Sequence, residues 1–342
     1  MGHIPFNAQV ELCSSLVVSE NQKISRPPGK SKSSKSALPG QPWITIGDPT
    51  LPLYLRKELL TPDLNQLAPY LWMVATQDSS HISSLTHQMV RGRSIVITEN
   101  PELHLVWYEG RVFVKPPPKY LLSFAFWVYY LDPSSSSSPI PPQSRQEIAS
   151  AALGLIRSYV YLIRSKSDFR LARSDSDESK RLIPGRISFT QFVAFISCFE
   201  HLGDAVMPPR YAFGELRLSR LNLWAKLVLR RFHFHKAYGQ YGAYFMRLYA
   251  PVAIIFAFYS VALNAMQVVL AAESLLQAQT SWEAFAEACR GFSVFTLVSA
   301  VAACLGLLGL FVGLLLRELV FALSHLRAKR GKRTVAPAAE VA

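Results

Sequence analysis

Two long stretches of the chain carry apolar residues on every side of a helix. Residues 248–272 and 292–316 contain no formally charged side chain. A helix rises about 1.5 Å per residue, so roughly 20 apolar residues cross a hydrocarbon core about 30 Å thick. Both runs therefore predict membrane-spanning helices with room for some tilt. The competing arrangement is a pair of helices buried in a large soluble core, where uncharged runs of this length are rare.

Before these runs the pattern is mixed. Residues 1–42 are rich in Ser, Pro, Gly and Lys and read as a disordered basic tail. Residues 43–132 read as a cytosolic α+β region. Thr61-Pro62-Asp63 offers a cap, a first-turn proline and an acid at the positive end of a helix. Pro69 is expected to interrupt that helix. Residues 81–91 predict a short helix stopped at Gly92. Strand-like runs follow at 94–98, 103–108 and 111–115, with a turn at Asn100-Pro101 and a tight hairpin at Glu109-Gly110. Alternation puts Leu103, Leu105 and Trp107 on one face and His104, Val106 and Tyr108 on the other. Residues 119–131 are apolar but too short to span, and predict a buried or interfacial helix.

Residues 133–145, with five consecutive serines, read as a flexible linker. Residues 146–247 read as a helical, basic juxtamembrane region. Its first helix, 146–164, has Ile148, Ala152, Leu155, Ile156, Tyr159 and Ile163 at helical spacing. Residues 165–180 look like a solvated acidic loop whose Ser174 and Ser176 resemble targets of acid-directed kinases. Ser188 and Gln191 form a capping box, with Ile187 and Phe192 as its staple. The charges of 210–249 are not confined to one helical face, which argues against a clean amphipathic surface helix. Tyr238, Tyr241, Phe245 and Tyr249 recur at helical spacing, where tyrosines suit the headgroup level.

Charge then orients the two spans. The formal net charge is +13. Residues 206–247 hold eight basic residues against Glu215 alone. The loop between the spans holds Glu273, Glu283, Glu287 and Arg290. The tail 317–342 holds six basic residues against Glu318 and Glu340. Basic flanks stay on the cytoplasmic side, so both termini are expected in the cytosol. Because the cations cluster beside the spans, anionic lipid is preferred to nucleic acid as their partner. Arg230, Arg231, Lys236 and Arg247, with Lys329, Arg330, Lys332 and Arg333, are the candidate headgroup contacts. A cleaved signal peptide is not expected, because no basic stretch precedes an apolar one at the N-terminus.

Candidate chemistry is sparse. Gly29-Lys30-Ser31 copies the end of a phosphate-binding loop, but prolines occupy the loop and no apolar helix follows. Cys13, Cys198, Cys289 and Cys304 have irregular spacing, against a zinc site or disulfide framework. No serine sits in a nucleophile elbow, and His81, His87, His104 and His201 have no spacing that links them to one. His233 and His235 point apart on a helix and lack acidic neighbours. No cofactor is expected. Within the spans, Asn264 and Gln267 share a helix face and are expected to meet another helix rather than lipid. Ala302 with Gly306, and Gly309 with Gly313, form small-residue strips suited to helix packing or dimerisation. No ionisable residue lies inside either run, so a proton or ion relay is not expected.

The stretches 93–123 (RSIVITENPELHLVWYEGRVFVKPPPKYLLS) and 209–251 (PRYAFGELRLSRLNLWAKLVLRRFHFHKAYGQYGAYFMRLYAP) resemble a family of uncharacterised fungal membrane proteins. The resemblance covers about residues 60–325 and implies a cytosolic region followed by two C-terminal spans. It carries over no catalytic residue. The expected fold is a mostly α membrane protein: a two-helix transmembrane hairpin (248–316) plus a cytosolic α+β region with a small antiparallel sheet. The leading functional expectation is a non-enzymatic membrane-anchored scaffold or regulatory protein, with an unidentified protein partner and a possible homo-oligomer. An enzyme acting on lipid would need a polar pocket of His and acids near the membrane face. A channel or transporter subunit would need a multimer with Asn264 and Gln267 on its polar face.

Overall fold

The computed structural model describes residues 4–19, 24–26, 37–174, 181–231, 234–235, 241–276 and 283–334. The chain divides into two units, residues 1–237 and 238–342.

The first unit opens with two small strand pairs, β1 (Val17–Val18) with β2 (Ile24–Ser25) and β3 (Ala37–Leu38) with β4 (Gln41–Thr45). Helices α1 (Leu51–Leu59), α2 (Pro62–Leu67) and α3 (Leu85–Val90) follow. Strands β5 (Ser94–Ile97), β6 (Val106–Tyr108) and β7 (Arg111–Val114) come next, then the single turn α4 (Phe124–Phe126). Helices α5 (Pro142–Leu162), α6 (Lys166–Arg173) and α7 (Phe189–Ile196) precede β8 (Leu216–Arg217) and α8 (Leu218–Val228).

The sheet order is β5-β7-β6-β8. The predicted hairpin is its centre: β6 and β7 pair antiparallel with Tyr108 opposite Arg111. Its outer neighbours, β5 on β7 and β8 on β6, run parallel. Strand β6 is shorter than the run 103–108 predicts. Residues Pro101–Leu103 form a 3-10 turn, and Leu105 has φ +59°, so the extended backbone starts only at Val106. The two faces of the sheet serve two cores. Leu105, Val112 and Val114 pack into a large core with α1 and α5, whereas Val106 and Leu216 join a smaller one with Leu64, Leu67, Leu71 and Leu221. Alternation holds, and both sides of it are buried.

Several expectations change. Part of the region read as a disordered tail is folded: Phe6 and Leu16 lie in the large core, and Leu122 O accepts from both Leu12 N and Cys13 N. The serine-rich stretch 133–145 is no loose linker. The buried Arg145 guanidinium donates to the carbonyls of Asp132, Pro133, Ser135 and Ile140, satisfying the backbone of the loop from its inner side. One core continues across it from Leu131 through Ile140 to Ile148, so 43–132 and 146–231 fold together. The apolar run 119–131 is broken into a 3-10 turn (Lys119–Leu122), α4 and a π turn (Trp127–Leu131), and is buried as expected.

Caps explain the helix starts. The predicted box at α7 is present in both directions: Gln191 N donates to Ser188 Oγ (3.2 Å) and Ser188 N to Gln191 Oε1 (2.9 Å). Its staple residues Ile187 and Phe192 are both buried. Within the supposed loop 165–180, α6 is closed by a second box, Ser165 with Asp168. The α2 start departs from expectation. Thr61 Oγ1 is buried and makes no hydrogen bond among the described residues, and the Glu102 carboxylate accepts from Asp63 N (2.9 Å) and Leu64 N (3.2 Å) instead. At Pro69 the helix tightens into the 3-10 segment Ala68–Met73 rather than ending. Inside α5, Gly154 is required by packing, because a Cβ there would overlap the Tyr211 ring.

The second unit is two helices, α9 (Tyr241–Leu276) and α10 (Glu283–Thr334). At 1.5 Å per residue, the 52 residues of α10 run roughly 80 Å, so the predicted tail continues the second helix as far as Thr334.

Candidate functional site

The first unit holds a buried polar centre that the sequence did not announce. His104 sits behind the 3-10 turn that Asn100 closes by accepting from Glu102 N at 3.0 Å. Its ring meets Ser158 of α5, 54 residues away, with Nε2 and Oγ 2.8 Å apart. A serine–histidine pair invites comparison with a hydrolase, but the proton direction is reversed. Lys115 N donates to His104 Nδ1 at 3.1 Å, so Nε2 carries the ring proton and donates to Ser158. Ser158 in turn donates to Leu155 O at 2.7 Å. An activated serine needs the opposite arrangement, with the imidazole accepting from the hydroxyl. Burial, with the Arg210 and Lys115 charges nearby, holds His104 well below its ordinary range and keeps it neutral.

Lys115 and Arg210 beside this pair are buried cations, and Arg93 is a part-buried one on the same sheet. Lys115 Nζ donates to Glu58 Oε1 (2.5 Å) and to Glu99 O (2.6 Å). Arg210, counted with the juxtamembrane charges on sequence alone, is only 1% exposed and donates to the carbonyls of Phe213, Gly214 and His104. Burial lowers it to about 10, which leaves it charged at neutral pH. Arg93 pairs with Glu215 at 2.7 Å and lies over the Trp107 ring at 4.0 Å. Glu215 also takes Gln88 Nε2 and Ser83 N, tying β8 to the loop before α3. Burial raises Glu102 to about 7 despite the two α2 amides it accepts. Two surface grooves, of about 380 and 460 Å³, are lined by Asn65, Pro69 and Trp72, and by Thr86, Met89 and Arg170; neither is lined by His104, Ser158 or Lys115. This centre is a structural knot: it joins β6, β7, α1 and α5 by satisfying charges and carbonyls that burial would otherwise make costly.

The hairpin has a different surface. Segments Val252–Ala272 and Glu283–Gly306 are long and apolar enough to cross a membrane, and only 0% and 11% of their apolar windows is buried. The helices touch where the Tyr259 and Phe292 rings lie 6.0 Å apart. The less exposed positions include Tyr259, Leu263, Met266 and Leu270 on α9, and are Phe285, Cys289, Phe292, Thr296 and Ser299 among the described side chains of α10. Both sets recur every three or four residues, as in a left-handed two-helix seam. Hydroxyls of Ser293, Thr296 and Ser299 return to carbonyls of their own helix.

The predicted packing residues lie elsewhere. Asn264, Gln267, Ala302, Gly306, Gly309 and Gly313 are all exposed, and a Cβ added at any of the three glycines would meet nothing within 4 Å. The α9–α10 contact therefore does not use them. Of the predicted headgroup cations, Arg230 is exposed with φ +51° at the end of α8, and Arg231 is 2.5 Å from Asp63, so its charge is partly occupied within the unit. Arg247 lies on an early turn of α9, and Lys329, Arg330, Lys332 and Arg333 lie on the last turns of α10. Lys236, His233, Ser176 and the Gly29-Lys30-Ser31 motif fall outside the described residues. His235 N donates to Asn222 Oδ1, and its ring lies edge-on to Phe113.

The profile of a family of unknown function (DUF6601) matches residues 51–300. No curated protein matches the chain, and no solved structure does.

Proposed function

We propose that this chain, which belongs to the DUF6601 family of unknown function, is a membrane-anchored interaction protein: α9 and α10 span a bilayer as a hairpin, and the first unit works on its cytosolic side without a catalytic role of its own. One observation supports this above others. The apolar windows of both helices are almost wholly unburied, which distinguishes them from core helices of a soluble protein. Glu283, Glu287 and Arg290 stand at the turn end of α10, where headgroups and water would receive them.

The basic flanks orient the hairpin with both termini in the cytosol. Glycosylation acceptors placed in 273–291 and in each tail test this: modification of the loop site alone is the expected result, and modification of either tail would overturn the orientation. Alkaline extraction tests the anchor itself, since a soluble two-helix arm would leave the membrane pellet.

The exposed Asn264, Gln267, Ala302, Gly306, Gly309 and Gly313 support contact with a second copy, because amides and bare backbone gain more from another helix than from lipid. Substituting Ile at Gly309 and Gly313 should abolish cross-linked dimer in membranes. Unchanged cross-linking would remove the dimer from the proposal.

A further inference from the structure

We infer that the outer face of α8 lies on the membrane surface, its leucines in the interfacial layer and its cations on anionic headgroups. This deepens the anchor reading above and rests on it.

Helix α8 has two faces of different use. Leu218 and Leu221 are fully buried in the smaller core, and Ala225 on the same face is fully buried as well. On the opposite side Leu223 and Leu227, one turn apart, are 57% and 61% exposed. Lys226 precedes Leu227 on the helix and the exposed Arg230 follows its C-terminal end, Arg220 lies one turn before Leu223 with its guanidinium donating to Val74 O, and the helix contains no acidic residue. Beside them Trp224 stacks on the half-exposed Tyr70, with ring centroids 5.8 Å apart and planes 12° from parallel. Leucine among cations, bordered by aromatic rings with a polar edge, is the chemistry of an interfacial helix. The sequence hides it, because the charges of 210–249 surround any single helix drawn through the whole stretch. The folded α8 is only Leu218–Val228, Arg210 is inside the core, and Arg231 is paired with Asp63. What remains on the outer face is one coherent patch.

Two arguments select lipid as the occupant. The patch is positive without a compensating acid on its helix, which complements phosphatidylserine-like headgroups. It is also tethered: 12 residues separate Val228 from the start of α9 at Tyr241. At about 3.5 Å per residue they reach roughly 40 Å at most. A short tether keeps the local lipid concentration high, so a weak patch suffices.

The test uses the full chain in nanodiscs containing phosphatidylserine, with single bimane labels on Leu227→Cys, Leu53→Cys or Phe256→Cys after the native cysteines are replaced by alanine. Lipids brominated on the acyl chain quench a label that enters the apolar layer. Expected is quenching at positions 227 and 256 and none at 53, on the exposed side of α1. Quenching at 256 without quenching at 227 overturns this inference and leaves the anchor standing. Absence of quenching at 256 overturns the anchor reading and the inference with it. Quenching at 53 as well would mean nonspecific adsorption and would also overturn it. In the native cysteine background, hydrogen exchange gives a second readout. Lys226→Glu with Arg230→Glu should lower the docked-to-free ratio of α8 roughly thirtyfold or more in anionic discs, and leave α9 protection unchanged. Equal α8 protection in the double variant overturns the electrostatic part.

Discussion

The two units treat the same residue types in opposite ways. On α1, Leu51, Leu55 and Leu59 form one buried stripe, and the other faces are polar or exposed. On α9, Ile254, Phe256, Phe258, Val261 and Val268 point outward with nothing over them. Polar groups diverge as well. In the first unit Lys115, Arg157 and Arg210 are buried and answered by carboxylates or carbonyls. In the hairpin the hydroxyls bond back to their own helix, and its amides stay on the surface. The first unit is built to exclude water, whereas the second leaves its apolar side chains uncovered, as the proposed bilayer would require. Perturbations should therefore separate the units cleanly.

The largest expected effect lies in the first unit. Glu58→Gln leaves the fully buried Lys115 ammonium with the Glu99 carbonyl and a carboxylate oxygen at 3.3 Å. Breaking a buried pair from one side costs about 3–5 kcal/mol. Urea unfolding of the full chain in nanodiscs, followed by tryptophan fluorescence, should show that loss with the hairpin still inserted. A change under 1 kcal/mol would mean that water reaches Lys115.

The next effect exchanges the roles. Val261→Arg places a charge on an exposed position of α9, where a watery surface would tolerate it within about 0.5 kcal/mol. In a bilayer the cost is about 3 kcal/mol, or more than a hundredfold in the insertion equilibrium. Leu53→Arg, equally exposed on α1, should be near neutral. Equal behaviour of the two variants in a membrane-insertion assay would erase the contrast on which the anchor rests.

A pH experiment sharpens the comparison within the first unit. Burial raises Glu102 from 4.5 to about 7. As pH rises through that window the unfolded chain gives up the proton while the folded chain keeps it, so stability falls, by up to about 3 kcal/mol. His104 acts with the opposite sign. Its folded form resists protonation, so its contribution is lost as pH drops below 6.5. The difference between the parent and Glu102→Gln cancels the histidine. It should favour the variant increasingly from pH 5 to 8. A flat difference would place Glu102 in water.

Much of this contrast was legible in the sequence, for identifiable reasons. A spanning run is written in consecutive residues, and so are the Glu109-Gly110 hairpin and the Ser188–Gln191 box. The buried centre is not, because its partners are distant: His104 with Ser158, Lys115 with Glu58, Arg210 with the His104 carbonyl. Composition misled at 133–145, where serine and proline suggested a linker and one guanidinium, Arg145, orders the loop. The contact between α9 and α10 was not legible for a related reason. Small-residue strips attract notice, yet the contact side of α10 is marked by the plainer recurrence of Phe285, Cys289, Phe292 and Thr296.

The smallest effect separates two caps that read alike. Ser188 and Gln191 form an exposed box that serves α7 alone. Ser165 and Asp168 form the same box at α6, but Asp168 is buried and also accepts from Thr86 N (2.8 Å) and Thr86 Oγ1 (2.7 Å), joining α6 to α3. Burial pushes the Asp168 carboxyl up, and the Thr86 and Ser165 hydrogen bonds outweigh it and hold the group below its ordinary value. Removing the exposed Gln191 side chain should cost about 1 kcal/mol or less, as for an ordinary cap. Asp168→Ala removes a buried carboxylate that accepts from part-buried donors on two elements, and should cost about 2–3 kcal/mol. Thermal unfolding at pH 7 compares them directly. Because the carboxylate's contribution is lost as pH falls through its depressed value, the gap should close only in strong acid, below pH 3.8. Equal costs at neutral pH would mean that the Thr86 contacts add nothing, and that α6 is held by its own first turn.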